Sequence, residues 1–403
     1  MTPKTIQSRS TFAVILILAP LIFSFALALD IYVPSIPAIK AYFNASQLTV
    51  QLTVSLFLLM AGLGQLLMGP LSDQFGRLRI IFSSITIFTI GSIICTLSTN
   101  INMLIMGRIV QAIGACGMMV SAFAIVRDLF SGDDCAKVYS FLNSTIALSP
   151  ILAPIIGGYI EHWFNWRITF AALASISLMI LLSVSITLNE TLPMTKRTTM
   201  STGLLKTYAH IFSNQTFFIF TMCASCGFAG FLTFFSSSSY IIISLLHITP
   251  DHFGFYFASL GIVFFIGSFI SGFAAKKIGT FNTVFLGAIL MTLSGLLMIG
   301  WYLYFGLSLF GFMGPMMLMG LGGAMLLGAG AGGAIEPFGE MAGTASALFG
   351  CCEFVFAFLI STFVLQWKVT STLPLGLTLI ILGCLATALC LMYRKIKPTN
   401  NLA

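Results

Sequence analysis

Three charged residues stand inside apolar runs that are otherwise long enough to cross a bilayer: Asp30, Arg108 and Glu353. An ionised side chain at the centre of a membrane helix costs about 2.5–3.5 kcal/mol on insertion scales, so each one calls for a partner, a wet cavity or a function. A buried carboxylate can take up and release a proton, and a buried arginine can orient it or steady its charge. Asp30 lies about eight residues from the outer end of its run, roughly 12 Å at the helical rise, and Arg108 about six residues from the outer end of its own, roughly 9 Å. Matching depth suggests an Asp30–Arg108 relay, in which proton uptake by Asp30 alters the pairing. The alternative is an arginine that snorkels to the interface. Glu353 could carry a second proton, recognise a cationic substrate, or hydrogen-bond a neighbouring helix as the neutral acid.

Twelve apolar runs hold these residues. The chain is 58% hydrophobic and only 7% charged, whereas ordinary soluble domains carry about 25% charged residues. Continuous rather than alternating apolar runs favour helices over a barrel. The predicted spans cover 12–38, 48–70, 80–98, 103–126, 138–160 and 167–188, then 216–243, 253–274, 283–302, 308–330, 344–367 and 373–393. Together they make an all-α membrane protein of two six-helix halves, 1–188 and 216–403, joined by a polar linker at 189–215. No cleavable signal peptide is expected, because the first run flows into the Asp30 stretch.

With the N-terminus in the cytoplasm, fourteen Lys and Arg residues fall on the cytoplasmic side and three, Lys40, Arg167 and Lys368, on the outer side. The positive-inside rule therefore puts both termini in the cytoplasm. It also explains the net charge of +7 without nucleic acid. The four histidines lie outside the spans and none pairs at ligand spacing, so neither a metal nor another cofactor is expected. Cys223 and Cys226 have the spacing of a redox pair, but thiols packed in apolar helices are the simpler reading.

Gly64, Gly69 and Gly76 recur as Gly267, Gly272 and Gly279 at a constant offset of 203 residues. Such a repeat suggests two parallel halves related by an axis along the membrane normal. The first copy is the turn Gly69-Pro70-Leu71-Ser72-Asp73-Gln74-Phe75-Gly76-Arg77-Leu78-Arg79. Its glycines would allow a sharp reversal and close approach of spans 2 and 3. Asp73 would meet the positive N-terminus of a facing helix.

That turn resembles the loop motif Gly-x-Leu-x-Asp-x-x-Gly-Arg-x-Arg of the major facilitator superfamily. The resemblance implies that Gly69, Asp73, Gly76 and Arg77 belong to a gating latch; Lys276 and Thr280 replace Asp73 and Arg77 in the second copy. Arg108-Ile-Val-Gln111-Ala-Ile-Gly114 is similar to a span-4 motif of proton-driven drug exporters. Pro150-Ile-Leu-Ala153-Pro154-Ile-Ile-Gly157-Gly158 is similar to the span-5 antiporter motif, with Ala153 where that motif has glycine. Pro150, Pro154, Gly157 and Gly158 would then bend span 5 and let backbones approach. Asp30-Ile-Tyr32-Val-Pro34-Ser-Ile-Pro37, Ala124-Ile-Val-Arg127-Asp128-Leu-Phe130, Asn165-Trp166-Arg167 and Gly343-Thr-Ala-Ser346-Ala-Leu-Phe-Gly350 narrow the match. They resemble the twelve-span drug:proton antiporters of the bicyclomycin/chloramphenicol-resistance family.

This resemblance implies proton-coupled efflux of drugs through a bacterial cytoplasmic membrane, with Asp30 as the span-1 carboxylate that binds protons and substrate. It implies no enzyme activity, and a monomer is expected. An amphipathic substrate would sit near mid-membrane between the halves. Candidate lining is Tyr32, Phe57, Met60, Met118, Phe231, Phe234, Phe235 and Phe349, although aromatic residues in a chain with 39 phenylalanines more often pack against helices or lipid. The four serines at 236–239 suggest a polar wall. Export of an endogenous metabolite, such as a siderophore or an amino acid derivative, is the alternative substrate class.

Overall fold

The computed structural model describes residues 11–130, 132–197, 203–364 and 371–396. Lys4, Arg9, Lys368 and Lys397 of the charge count lie outside them. Among the described residues, twelve helices are long and apolar enough to cross a membrane. Spans 1–6 are Thr11–Tyr42, Gln47–Phe75, Arg77–Thr96, Ile101–Leu129, Lys137–Trp163 and Trp166–Thr187. Spans 7–12 are Gln215–Leu245, Pro250–Ile278, Thr280–Phe305, Leu309–Gly339, Ala342–Val364 and Leu373–Lys395.

Helix starts follow the local sequence. Ser46, Asn100, Asn214 and Ser308 each accept a hydrogen bond from the backbone N–H three residues on, which satisfies one of the orphan donors of a first turn. The linker holds an element that a reading as polar connection overlooks, a helix at Leu204–Phe212 that buries Tyr208 and Ile211. A spacing of three between those two residues puts them on one helical face.

The chain forms two compact units, Met1–Leu204 with Pro250–Phe255, and Leu205–Thr249 with Tyr256–Ala403. Within the first unit, span 3 packs on spans 4 and 6, and span 1 packs on spans 4, 5 and 6. Within the second, span 9 packs on spans 10 and 12, and span 7 packs on spans 10, 11 and 12. The same neighbours thus recur six spans later.

The glycine repeat recurs at atomic detail as well. Gly76 and Gly279 are each the single residue between two helices, with φ of 96° and 86°, a conformation that L side chains rarely adopt. Gly64 lies against Cys116 of span 4, and Gly267 against Ala324 of span 10. A Cβ at Gly69 or at Gly272 would meet nothing within 4 Å. Gly69 therefore neither turns the chain nor brings helices together, contrary to the expectation from the motif. Span 2 runs straight through it to Phe75, and the whole reversal falls on Gly76.

Candidate functional site

Span 1 is not one continuous helix. Its α-helix stops at Asp30, a 3-10 turn follows at Val33–Ser35, and a second helix runs from Ile36 to Tyr42. Pro34 and Pro37 cause the break, since neither has an N–H to continue the ladder, and both are accepted in the first turn of the next element. A helix that ends inside the protein leaves its last carbonyls without intrahelical partners and a partial negative charge at that end.

Arg108 fills this need. Its side chain is fully buried, and Nη1 donates to Ala28 O at 2.9 Å while Nε donates to Thr53 O at 3.2 Å. Nη1 also donates to Gln111 Oε1 at 2.5 Å, and Gln111 Nε2 in turn donates to Ser92 Oγ at 2.8 Å. The guanidinium carbon sits 4.4 Å from the ring centre of Tyr32 and 4.2 Å from that of Phe57, within cation–π range. A buried charge is thus solvated by carbonyls, an amide and ring faces rather than by a carboxylate.

Asp30 finds a different partner. One oxygen, Oδ2, accepts from Ser149 Oγ of span 5 at 2.7 Å. The other, Oδ1, is buried and has no protein hydrogen-bond partner among the described residues. The expected Asp30–Arg108 pair is therefore not formed. Both residues engage the same helix break, one through its side chain and one through the carbonyl of Ala28. Ser149 escaped the sequence reading because a lone serine before a proline carries no signal of a contact 119 residues away.

Span 5 seals the other side of the break. It continues as one helix with Pro150 and Pro154 inside it. The glycines do the work expected of them. A Cβ at Gly157 would overlap the Ile31 carbonyl oxygen, and one at Gly158 would overlap that of Pro250.

The turn after span 2 carries a second polar cluster. Arg77 pairs with Asp73 through Nη1 and with Asp128 of span 4 through Nε at 2.9 Å. Asp73 does not sit on a helix N-terminus, as its position had suggested. Glu190 of the linker does, accepting from the N–H groups of Arg77 at 3.0 Å and Leu78 at 3.3 Å. Such a carboxylate answers the positive end of the helix dipole. Arg197 approaches Glu190 at 3.5 Å, and Thr191 donates to Asp128 at 3.0 Å. The missing side chain of Gly76 leaves the space that Glu190 and Arg197 occupy.

Among the candidate lining residues, Tyr32, Phe57, Met118 and Phe234 are fully buried. Tyr32 and Phe57 pack on Arg108, and the Tyr32 hydroxyl hydrogen-bonds Thr53 at 3.1 Å. Phe234 stacks on Phe312 and packs at a tilt against Phe257 in the second unit. Phe231, Phe235 and Phe349 are each 8% exposed, and Met60 is half-buried. All four serines at 236–239 are buried, directly before a π-helical turn at Tyr240–Leu245. Cys223 faces Cys390 at 3.9 Å rather than Cys226. Glu353, in span 11, is 8% exposed, and its Oε1 has no protein partner among the described residues.

These features meet in a known class. Residues 18–362 match the model of the Major Facilitator Superfamily, and the chain belongs to that family of membrane transporters. It is 28% identical to the chloramphenicol resistance protein of Pseudomonas aeruginosa over 87% of this chain and 83% of the relative. It is 27% identical to the bicyclomycin resistance protein homolog of Haemophilus influenzae over 93% and 94%. It is 28% identical to multidrug resistance protein D of Escherichia coli over 89% and 90%. The motif resemblance to the bicyclomycin/chloramphenicol-resistance group and the relatives' names thus agree. In structure, the chain is similar to a bacterial homolog of the human lysosomal transporter Spinster, with a TM-score of 0.75 and 16% identity over 99% of this chain and 100% of that one. At that identity the likeness speaks for the fold alone.

Proposed function

We propose that the protein exports small amphipathic molecules, antibiotics among them, in exchange for protons and by alternating access. The observation that carries this reading is Asp30. It is a carboxylate 2% exposed within a membrane span, held at one oxygen by Ser149 and without a protein partner at the other. Such a group can gain a proton without breaking an ion pair. Arg108 positions the span-1 break around it, and Glu353 is a second acid able to carry a proton.

The halves 1–188 and 216–403 move about the linker 189–215. The cluster of Asp73, Gly76, Arg77 and Asp128 latches one state, while Pro150, Pro154, Gly157 and Gly158 of span 5 form the surface on which span 1 shifts; Gly69 serves only as part of the helix leading in. Substrate contacts Met60, Phe231, Phe235 and Phe349, and reaches Tyr32, Phe57, Met118 and Phe234 once their packing opens. One inward proton supplies about 2.3 kcal/mol per 100 mV and about 1.4 kcal/mol per pH unit, enough for substantial outward accumulation. The fourteen-to-three bias of basic residues supports cytoplasmic termini. The bacterial relatives support a cytoplasmic membrane, and a monomer would suffice for transport.

The test uses proteoliposomes with an imposed pH gradient and a pH-sensitive dye. Chloramphenicol or bicyclomycin should discharge the gradient in proportion to its own movement. If neither drug does so while a siderophore or an amino acid derivative does, the alternative substrate class replaces drug export.

A further inference from the structure

Under the proposed topology, span 5 ends at the outer face with Trp163, and its last two turns carry a paired arrangement. Gly157 lies against the Ile31 carbonyl and Gly158 against that of Pro250. One helical turn on, at i+4, each glycine is followed on its own face by a titratable residue, Glu161 and His162. Glu161 faces the Ser35 hydroxyl in the span-1 break, and His162 Nδ1 approaches Asp251 Oδ1 of span 8 at 3.5 Å. The segment Pro250–Phe255 belongs to the first unit, and its Gly254 returns the contact by lying against Pro154 O and Ile155. Span 5 is thus seated on span 1 along one seam and on the start of span 8 along another. Each seam has a close backbone approach at a glycine and a protonatable side chain at its outer end.

Both side chains change charge in the direction that tightens these seams. Glu161 is half-buried, and neither its Oε2 nor Ser35 Oγ has a hydrogen-bond partner among the described residues. Pressing an ionised carboxylate against the break costs it hydration, and a proton taken up from water removes that cost. His162 works in the opposite sense: a proton gives the imidazole a positive charge and turns its approach to Asp251 into an ion pair. Asp251 stands in the first turn of span 8, where a negative charge answers the helix dipole, and it also meets His252 at 3.3 Å. Other charges on the elements packed here are engaged elsewhere. Asp30 is held by Ser149. Arg108 of span 4 donates to Ala28, Thr53 and Gln111. Arg167 of span 6 donates to Ser98 O and lies over Tyr42 and Trp166. Lys40 stands in the last turn of the second helix of span 1, beyond Ser35.

We infer that Glu161 and His162 form a proton-operated clasp that shuts the outer end of span 5 against span 1 and the start of span 8 when the outside is acidic. The inference rests on the export reading and its topology, and adds regulation by outer protons at a place separate from Asp30. An acidic exterior then favours closure of the end from which substrate has left.

Amide hydrogen exchange of residues 155–164 and 251–255 in the purified full-length protein, corrected for the intrinsic effect of pH, measures the opening of both seams. From about pH 8 to about pH 5.5, across the histidine range, protection in the parent should rise about fivefold, the scale of a partly exposed ion pair. Glu161→Gln, which cannot ionise, should keep protection high at the alkaline end. His162→Gln, which cannot become charged, should lose most of the gain at the acid end, and the double variant should respond little to pH. Asp30→Asn should respond as the parent does. Parental protection that is independent of pH, or variants that shift protection equally at both ends of the range, overturns the clasp. A parental pH response in the double variant, alongside intact drug-driven proton flux, removes the clasp and leaves the export reading standing. Absent flux in a parent whose pH response the double variant abolishes refutes export and leaves the clasp.

Discussion

Replacing Arg108 with lysine separates two accounts of this buried charge. If Arg108 served only as the positive partner of Asp30, a lysine would serve too. The structure assigns it a different task, holding three acceptors at once: Ala28 O at 2.9 Å, Thr53 O at 3.2 Å and Gln111 Oε1 at 2.5 Å. A lysine ammonium is a point charge on a flexible stem and lacks the planar fork that reaches several acceptors in fixed directions. If it keeps one of the three, two buried acceptors lose a charged donor, at about 1–3 kcal/mol each. Weaker contact with the rings of Tyr32 and Phe57 adds about 1 kcal/mol. The expected loss is therefore about 3–7 kcal/mol, despite the retained charge. Thermal unfolding of the purified protein, set beside drug-dependent proton flux in proteoliposomes, reads both consequences. A lysine variant within about 1 kcal/mol of the parent, transporting at the parental rate, would refute the fork argument.

Two motif glycines should respond in opposite ways to alanine. Gly157→Ala forces a Cβ onto the Ile31 carbonyl, and should lose about 1–3 kcal/mol by overpacking along with transport. Gly69→Ala meets nothing within 4 Å, and should gain about 0.5–1 kcal/mol from the stiffer backbone; equal melting temperatures for the two variants would overturn this assignment. At the turn, Asp73 is 47% exposed and Asp128 only 17%. Asp128→Asn should therefore cost about 1–3 kcal/mol of stability and Asp73→Asn less than about 1 kcal/mol. Asp73→Asn should nonetheless slow transport with little loss of drug affinity, and an equal loss in a binding assay would place the turn's effect on the pocket.

Fold class was legible because it rests on local quantities. Apolar run length sets the spans, and the glycine offset shows the doubling, down to matched φ at Gly76 and Gly279. The candidate functional residues were legible by type, since an ionisable group in a membrane run is rare enough to single out. Their partners were not. Ser149, Ser92 and Glu190 are ordinary residues whose contacts with Asp30, Gln111 and the Arg77 N–H are set by how helices far apart in sequence pack. The break after Asp30 lay in view in Pro34 and Pro37, yet its consequence, free carbonyls for Arg108, follows only once span 4 is seen beside it. The linker helix at Leu204–Phe212 is short and flanked by polar residues, so its two buried side chains were outweighed by its surroundings.

If Asp30 carries the proton, proton release on drug addition reports it without an intermediate step. Reconstituted parent protein should release protons when drug binds and take them up when a pH gradient drives export. Asp30→Asn should insert normally in the membrane, melt close to the parent, and show neither proton signal. Proton release and drug-coupled flux at parental levels in Asp30→Asn would contradict the account and move coupling to another acid, with Glu353 the first to examine.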